Sequence, residues 1–324
     1  MRILVTGGSG FIGTNLIEKL LERKYEVVNL DSSAPRLKAH VSLWREVSLL
    51  DEYGTSQLLK ETLPDYVIHA AARTDLGGQS LAEYAVNTIG TSNLISAMEA
   101  AGSVKRAIFF SSMLVCHNGY SPSSDVDYCP DTAYGKSKVE MERIVRLRME
   151  VVGAEYIIIR PTSVWGPWFS GPYLQFFQMI RRGLYVHLGH RQIKKQFAYV
   201  GNVVGQILKL LTVDSDDCAG LVFYVGDYSA YIVREWADSV QREIGAHGIR
   251  TVPIPLLKVI ATVGDVLVSL GCHRVPLTSF RLTNMLTSNS LPYERAMRVF
   301  GPLEYSVTDG IRRTIAWLDK QALW

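Results

Sequence analysis

The sequence predicts an α/β fold, in which a doubly wound parallel sheet is followed by a smaller α+β lobe. Three observations predict this fold. Short β-branched runs alternate with helical patterns over the first 160 residues. A glycine-rich turn joins the first of these runs to the first helix. Beyond residue 160, proline and glycine interrupt the alternation. Alternating strands and helices are typical of right-handed βαβ crossovers, and therefore of parallel strands.

The elements of the first half follow from periodicity. Apolar runs predict buried parallel strands, and apolar residues at helical spacing predict the helices between them. The predicted strands are 2–5, 26–30, 66–69, 107–111 and 156–160. The predicted helices are 11–23, 55–63, 80–101 and 134–152.

In the second half, strands and helices no longer alternate regularly, which predicts a separate lobe. The expected elements are helices at 172–183, 201–212, 232–245, 255–270 and 308–320, and a strand at 221–225. We therefore expect a first domain over residues 1–165 and a mainly substrate-binding lobe over 166–324. Residues 221–226 are expected to return to the first sheet.

The turn after the first strand predicts a dinucleotide site. Gly7, Gly10 and Gly13 have the spacing G-x-x-G-x-x-G between a strand and a helix. The first glycine allows a tight turn, the second lets the backbone approach a pyrophosphate, and the third lets helix and strand pack closely. The helix N-terminus offers free N–H groups to the phosphates. The first domain is therefore predicted to be a Rossmann-type domain.

The end of the second strand predicts which dinucleotide binds. The run 26–30 leads into Asp31, about 20 residues after the glycines, where an acid can accept both ribose hydroxyls of an adenosine. Its charge would repel a 2′-phosphate, so NAD is expected rather than NADP. Arg36 lies close enough in sequence to accommodate such a phosphate if Asp31 turned away.

A third motif supplies a general acid/base. Tyr134 and Lys138 lie four residues apart and so share one helix face. A nearby ammonium is expected to lower the pKa of the tyrosine and favour its phenolate. Ser112 follows a buried strand, where its hydroxyl can hydrogen-bond a substrate oxygen beside the tyrosine. These three residues are the predicted catalytic group.

Composition excludes several other classes. A net charge of +3, with dispersed Lys and Arg, does not indicate nucleic-acid binding. The four cysteines lack C-x-x-C spacing, so we expect reduced thiols in a cytoplasmic protein and no metal site. Residue 1 leads directly into the first strand, so no signal peptide is expected. Residues 255–270 are apolar but too short to cross a membrane. They are expected to form a core or subunit-contact helix, with a membrane-surface helix as the alternative.

Together, these motifs identify a known family. The chain resembles the extended short-chain dehydrogenases/reductases, which include nucleotide-sugar epimerases, dehydratases and reductases and 3β-hydroxysteroid dehydrogenases. The resemblance covers essentially the whole chain. It rests on the motif 6–13, Asp31, residues 69–72, Asn87, Ser111-Ser112, the Tyr134-x-x-x-Lys138 pair and the motif 160–167.

The resemblance implies roles for individual residues. Phe11 and Ile12 would lie along the pyrophosphate, Lys138 would bond the nicotinamide ribose, and His69 would be a structural histidine at a strand end. The full expected cofactor set is Gly7, Gly10, Phe11, Ile12, Gly13, Asp31, Ser32, Arg36, Ser48, Leu49, Ala70, Ala71, Ala72, Thr74, Asn87, Tyr134, Lys138, Pro161 and Thr162. The expected substrate residues are Ser112, Ser163, Arg191 and Lys195, the two basic ones for a diphosphate.

Departures from the family pattern narrow the chemistry. Where nucleotide-sugar 4,6-dehydratases carry an acidic pair, this chain has Met113 and Leu114, so elimination of water is not expected. The resemblance implies hydride transfer at a carbinol carbon, with Tyr134 moving the hydroxyl proton. Cys116 replaces a residue that is often tyrosine, and a cysteine nucleophile is a minor alternative.

Three functions stay open at this point. The first is an NAD-dependent nucleotide-sugar epimerase, at C4 through a transient keto intermediate, or a closely related oxidoreductase. The second is a reductase or dehydrogenase of a less charged alcohol or ketone, similar to 3β-hydroxysteroid dehydrogenases. Its apolar pocket would use the aromatic residues Trp165, Trp168, Phe169, Tyr173, Phe176 and Phe177, which could equally form the core of the lobe. The third is a non-enzymatic dinucleotide sensor.

The expected assembly is a homodimer. Helices 80–101 and 134–152 carry apolar residues on more than one face, and relatives often pair these helices across a dimer contact.

Overall fold

The computed structural model describes residues 1–272, 275 and 277–324. In the first half, strands and helices alternate as predicted. The strands are β1 (Arg2–Thr6), β2 (Glu26–Asp31), β3 (Trp44–Glu46), β4 (Tyr66–His69), β5 (Arg106–Phe110) and β6 (Glu155–Pro161). The helices are α1 (Phe11–Glu22), α2 (Glu52–Thr62), α3 (Ala85–Ala101) and α4 (Ala133–Val152). Short 3₁₀ turns occupy Lys38–Leu43, Leu81–Tyr84 and Met113–Val115.

The second half is richer in short strands than expected. Its strands are β7 (Ser163–Trp165), β8 (Val186–Leu188), β9 (Lys194–Lys195), β10 (Phe197–Tyr199), β11 (Val222–Val225), β12 (Tyr231–Ile232) and β13 (Arg250–Val252). Its helices are α5 (Gly171–Arg181), α6 (Val200–Leu210), α7 (Ser215–Cys218), α8 (Val233–Ile244), α9 (Ile254–Ser269), α10 (Ser279–Leu286), α11 (Glu294–Phe300) and α12 (Val307–Lys320).

One seven-stranded sheet organises the molecule and confirms the predicted fold class. Its order is β11-β6-β5-β4-β1-β2-β3, and every neighbouring pair is parallel. The strand order reverses at β1, with β2 on one side and β4 on the other. Ligands of doubly wound sheets bind beyond the carboxyl ends of the strands at such a switch point. The chain therefore places the glycine turn after β1 at the expected ligand edge.

Two differences from the predicted elements have local causes. Strand β3 was not predicted because it is a three-residue edge strand with exposed side chains, and so lacks an apolar run. The predicted helix 80–101 divides into a 3₁₀ turn and α3. A capping box between Ser80 and Glu83 starts the turn, and α3 begins only after it.

The sheet is buried on both faces. Helices α2, α3 and α4 cover one face with residues such as Leu59, Met98 and Val145. Helices α1 and α6 cover the other, where the core continues into the second lobe. Five of the six aromatic residues that the steroid-type alternative assigned to a pocket pack in this core instead, and the sixth, Trp168, contacts Trp317. Phe176 stacks on Trp236 with ring centroids 4.5 Å apart, and Trp165 is fully buried.

Candidate active site

The glycine turn packs closely against the segment that follows β4. Gly7 has a φ of +73°, and a Cβ there would lie 2.5 Å from the Ala71 nitrogen. A Cβ at Gly13 would lie 2.2 Å from the Gly7 oxygen. Gly10 is different, because its nearest such neighbour is 3.1 Å away. The turn thus requires glycine at its two most tightly packed positions, whereas a side chain at Gly10 would need only a small shift of the Gly7 carbonyl.

The N-terminus of α1 fits a pyrophosphate. Its first N–H groups have no intrahelical acceptor, and no side chain caps them. Phe11 and Ile12 are only partly buried there. A helix start without a side-chain cap, directly after a glycine turn, offers free N–H groups to an anion, so this part of the chain fits the phosphates of a dinucleotide.

Asp31 and Arg36 flank the same turn. Asp31 accepts hydrogen bonds from the Ser9 nitrogen (3.0 Å) and the Ser33 nitrogen (2.9 Å), which hold its carboxylate at the end of β2. Arg36 donates to the Ser9 oxygen (3.2 Å) and also to the Trp168 oxygen. Two carbonyls therefore accept from Arg36, one through its Nε and one through an Nη, and its role toward a 2′-phosphate stays a prediction.

The remaining cofactor candidates differ in their exposure to solvent. Ser32, Ser48 and Thr74 are exposed, whereas Leu49 is buried. The segment 70–72 continues from β4, and the Ala70 and Ala71 nitrogens donate to Thr6.

Asn87 is completely buried, and its amide is bonded within the protein. Its oxygen accepts from the Arg73 nitrogen (2.8 Å), and its nitrogen donates to the Arg73 oxygen (3.0 Å) and the Ser137 hydroxyl (2.9 Å). The structure therefore places Asn87 as a positioning residue between the segment after β4 and helix α4.

The three predicted catalytic residues converge where β5 ends and α4 begins. The Ser112 hydroxyl accepts from the Leu114 nitrogen (3.1 Å), and its interaction with the Tyr134 phenol acts to lower the tyrosine pKa. The Lys138 ammonium donates to the Phe110 oxygen (2.7 Å). All three side chains are nearly completely buried.

The start of α4 fixes this arrangement. Thr132 caps the helix by accepting from the Gly135 nitrogen (3.0 Å). A Cβ at Gly135 would lie 2.3 Å from the Leu114 oxygen, so a glycine lets α4 pack against the turn that follows Ser112. The hydroxyl and the phenol are brought together by this close packing.

The expected lowering of the Tyr134 pKa is wrong for the protein alone. Burial raises the pKa of Tyr134 to about 12, although the hydrogen bond with Ser112 opposes the shift. Burial also lowers the pKa of Lys138 to about 7, against the attraction of Glu142. Desolvation therefore outweighs any help from the lysine, and Tyr134 holds its proton at neutral pH.

A buried ion pair behind this group was missed. Glu142 lies one helical turn beyond Lys138 on α4 and bonds Arg160 of β6 through two contacts of 2.8 Å. It also accepts from the Ser111 hydroxyl (2.6 Å) and the Tyr128 phenol (2.8 Å). The i, i+4, i+8 spacing of Tyr134, Lys138 and Glu142 was the available signal. The pair connects the catalytic face of α4 to the sheet.

The comparisons with known proteins agree with this geometry. Residues 3–226 match the model of the NAD dependent epimerase/dehydratase family. The chain belongs to this family. It is 30% identical to a 3 beta-hydroxysteroid dehydrogenase/Delta 5-->4-isomerase of Mycobacterium tuberculosis, over 75% of this chain and 70% of that protein. It is 32% identical to a UDP-glucose 4-epimerase of Vibrio cholerae, over 74% and 76%.

Among solved structures, the fold is similar to that of a UDP-glucose 4-epimerase of Thermotoga maritima. The TM-score is 0.78 at 23% identity, and the match covers 99% of this chain and 100% of that one. Membership of the NAD dependent epimerase/dehydratase family confirms an enzyme of this class with NAD as its cofactor.

Two other predicted features of this family member have structural roles. His69 bonds the hydroxyls of Thr6 (2.7 Å) and Thr91 (2.9 Å), and burial lowers its pKa to about 3, so the ring is neutral. Burial raises the pKa of the Cys116 thiol, which disfavours the thiolate that a nucleophile needs.

Of the residues predicted to bind substrate, Lys195 lies in a segment that packs against the end of β6. Thr162 donates to the Gln196 oxygen (2.5 Å) and lies 3.3 Å from the Met113 sulfur, which brings the 195–196 segment to the end of β6. Lys195 donates to the Asn284 oxygen (2.6 Å), and burial lowers its pKa.

The other two predicted substrate residues lie in strand β7 and in the loop before β9. Ser163 begins β7, where it pairs with Phe197 of β10. Arg191 is exposed in the loop between β8 and β9. Lys195 is therefore already bonded to a carbonyl, and Arg191 is exposed to solvent.

A cavity of about 580 Å³ lies beyond β11, lined by residues that include Asp227, Tyr231, Trp236 and Tyr305. It contains none of the predicted catalytic residues. Within the described parts of the chain, no three His, Cys, Asp or Glu side chains group as metal ligands. The described helices are likewise too short or too polar to span a membrane.

Proposed function

We propose that this protein is a nucleotide-sugar epimerase that acts at C4 through a transient keto intermediate. The observation that carries the proposal is the Ser112–Tyr134–Lys138 group, with Met113 and Leu114 where a second acid/base would stand. Such a group moves one proton at one alcohol oxygen. It suits reversible oxidation of a carbinol better than elimination of water. The relatedness to the Vibrio cholerae UDP-glucose 4-epimerase supports a nucleotide-sugar substrate.

The proposed roles of the residues follow from their contacts. Ser112 holds the substrate oxygen, and Tyr134 takes its proton and later returns it. Lys138 fixes the ribose next to the nicotinamide and adds positive charge near the phenol. Bound NAD supplies the hydride acceptor and an additional positive charge. The protein environment by itself raises the pKa of Tyr134. We therefore propose that the phenol becomes a base only when NAD and substrate are bound beside it.

One observation favours a second candidate, a dehydrogenase similar to 3β-hydroxysteroid dehydrogenases. Lys195 donates to the Asn284 carbonyl and Arg191 is exposed in the loop between β8 and β9, so these two cations are not arranged as a pair for a diphosphate. A relative from Mycobacterium tuberculosis carries the corresponding name. The packing of the aromatic residues as lobe core argues against this candidate, because it removes the expected apolar pocket.

The first experiment identifies the nucleotides released when the purified protein is denatured. An epimerase regenerates its cofactor in each cycle, so we expect NAD at about one equivalent. The protein is then given UDP-glucose deuterated at C4 with no added NAD. Formation of UDP-galactose that retains deuterium supports the proposal. NADH accumulation with a 3β-hydroxysteroid, and none of the epimer, would replace it with the second candidate.

Assembly, location and domain division are proposals of the same kind. The apolar side chains Ile89 of α3 and Leu147 and Val151 of α4 are more than half exposed, which supports a homodimer through these helices. The four cysteines are unpaired, which supports a cytoplasmic location. The boundary near residue 165 is supported by β7, which leaves the main sheet to pair with β10.

A further inference from the structure

Helix α9 buries only a narrow part of its surface. Leu257, Ala261 and Gly264 face the protein, where they pack with Leu282 of α10 and its neighbours. The packing there is tight, because a Cβ at Gly264 would lie 2.0 Å from the Leu277 oxygen. The contact with α10 fixes which side of α9 faces outward.

A second sector of α9 is apolar and exposed. At 100° per residue, its side chains fall within a band of about 120°. We call this band the apolar stripe. It consists of Leu256, Val259, Ile260, Val263, Val266, Leu267 and Leu270, whose exposed fractions run from 41% to 74%. On α10, Phe280 and Met285 are exposed as well. Contiguous aliphatic surface of this kind marks an interaction site.

The third sector of α9 is polar, and it faces away from the apolar stripe. Lys258, Thr262, Asp265 and Ser269 occupy it, so the two charged residues of α9 lie away from the apolar stripe. A helix with separate protein-facing, apolar and polar sectors can lie along an apolar surface while its charges stay in water.

Charge around α9 indicates the kind of surface. Residues 245–293 contain four Lys and Arg and a single acidic residue, Asp265, whereas the whole chain contains 34 and 31. The excess of this stretch equals the +3 net charge of the chain, so the rest of the protein is balanced. A net positive charge in the stretch of chain that carries these exposed aliphatic side chains complements an anionic lipid surface.

We propose that the apolar stripe of α9 docks this protein on the surface of an anionic lipid bilayer. A second copy of the chain fits less well, because each copy would bring the same net positive stretch, residues 245–293, to the contact. The proposed dimer contact also uses a different part of the surface, on α3 and α4. The helix lies in the interface rather than crossing it, since the described helices are not suited to span a membrane.

The docking helix pair is connected to the substrate side of the site. The Asn284 oxygen of α10 accepts from Lys195, and just after α10 the side chains of Ser288 and Asn289 accept from the backbone nitrogens of Lys194 and Gln196. Gln196 in turn accepts from Thr162 at the end of β6. Docking would therefore position the substrate-side loops close to the lipid surface.

The test is sedimentation of the full-length protein with vesicles of phosphatidylcholine, with and without phosphatidylglycerol. We expect binding to the anionic vesicles that weakens as salt rises. Removing one inserted aliphatic side chain changes such an equilibrium by about tenfold. The variant Val263→Gln/Leu267→Gln should therefore bind at least about tenfold more weakly. The matched control Val126→Gln/Leu184→Gln replaces exposed residues of the same types elsewhere and should bind like the unaltered protein.

Three results of the vesicle experiment would overturn the proposal. They are no binding to anionic vesicles, equal binding with and without phosphatidylglycerol, and unchanged binding of the α9 variant. A smaller solution mass of the α9 variant in the absence of vesicles would also overturn it, by showing a contact between copies. Vesicle binding is measured without substrate. Its outcome is therefore independent of the epimerase proposal, which the nucleotide-release experiment tests.

Discussion

Replacing Glu142 by glutamine should destabilise the protein strongly. Both Glu142 and Arg160 have fully buried side chains. The carboxylate accepts four hydrogen bonds, two from Arg160, one from Ser111 and one from Tyr128. A glutamine keeps one acceptor oxygen and turns an N–H₂ group toward donors. It also leaves the Arg160 charge without its counter-ion.

The expected cost follows from this geometry. Breaking a buried ion pair on one side costs about 3–5 kcal/mol of unfolding free energy, because an uncompensated charge stays buried. Urea denaturation of the Glu142→Gln variant measures this loss. Arg160→Gln and the double variant complete a cycle, in which the double variant should lose less than the sum of the two single variants. A loss below about 1 kcal/mol for Glu142→Gln, or additive losses, would refute the reasoning.

The same variant has a functional signature. Glu142 raises the pKa of Lys138 against the larger effect of burial, which brings that pKa to about 7. Without the carboxylate the Lys138 pKa falls further, so the ammonium is lost at a lower pH. The alkaline limb of the kcat/KM profile should shift to lower pH in the folded variant. A purely structural role for Glu142 would leave the profile in place.

Three further predictions concern single residues. Tyr134→Phe should lower kcat/KM at least about 100-fold because the proton carrier is lost, while the NAD released on denaturation is unchanged; loss of both would contradict the proposed role. Asp31→Asn should weaken NAD binding by roughly tenfold or more, measured by titration calorimetry, because a charged hydrogen-bond acceptor is lost. His69 has a folded-state pKa of about 3, below its usual 6.5, so the unfolded chain binds a proton that the folded chain does not. Stability should fall by up to about 1.4 kcal/mol per unit as pH drops from about 6.5 toward 3. His69→Gln should reduce that slope in urea unfolding at several pH values, and an unchanged slope would show that other groups cause it.

The sequence predicted features that depend on residues close together in the chain. Glycine spacing defines a turn because the backbone at Gly7 needs a positive φ and Gly13 sits against it. Periodicity located the strands and helices, because each element shows its buried face as a repeat. The Tyr134 and Lys138 pair could be found because four residues make one helical turn.

Only the tertiary structure decided which side chains lose contact with water and which residues distant in sequence become partners. Tyr134 has a raised pKa because the packing of β5 and α4 removes water from its phenol, which no spacing reveals. Glu142 finds Arg160 across 18 residues, and Lys195 finds Asn284 across 89, so neither pairing follows from a local pattern. The apolar run at 255–270 predicted a helix, but the narrow contact with α10 determined that most of its aliphatic side chains are exposed. A local pattern specifies an element and its apolar residues, whereas the packing of the other elements determines which of those residues are shielded from water.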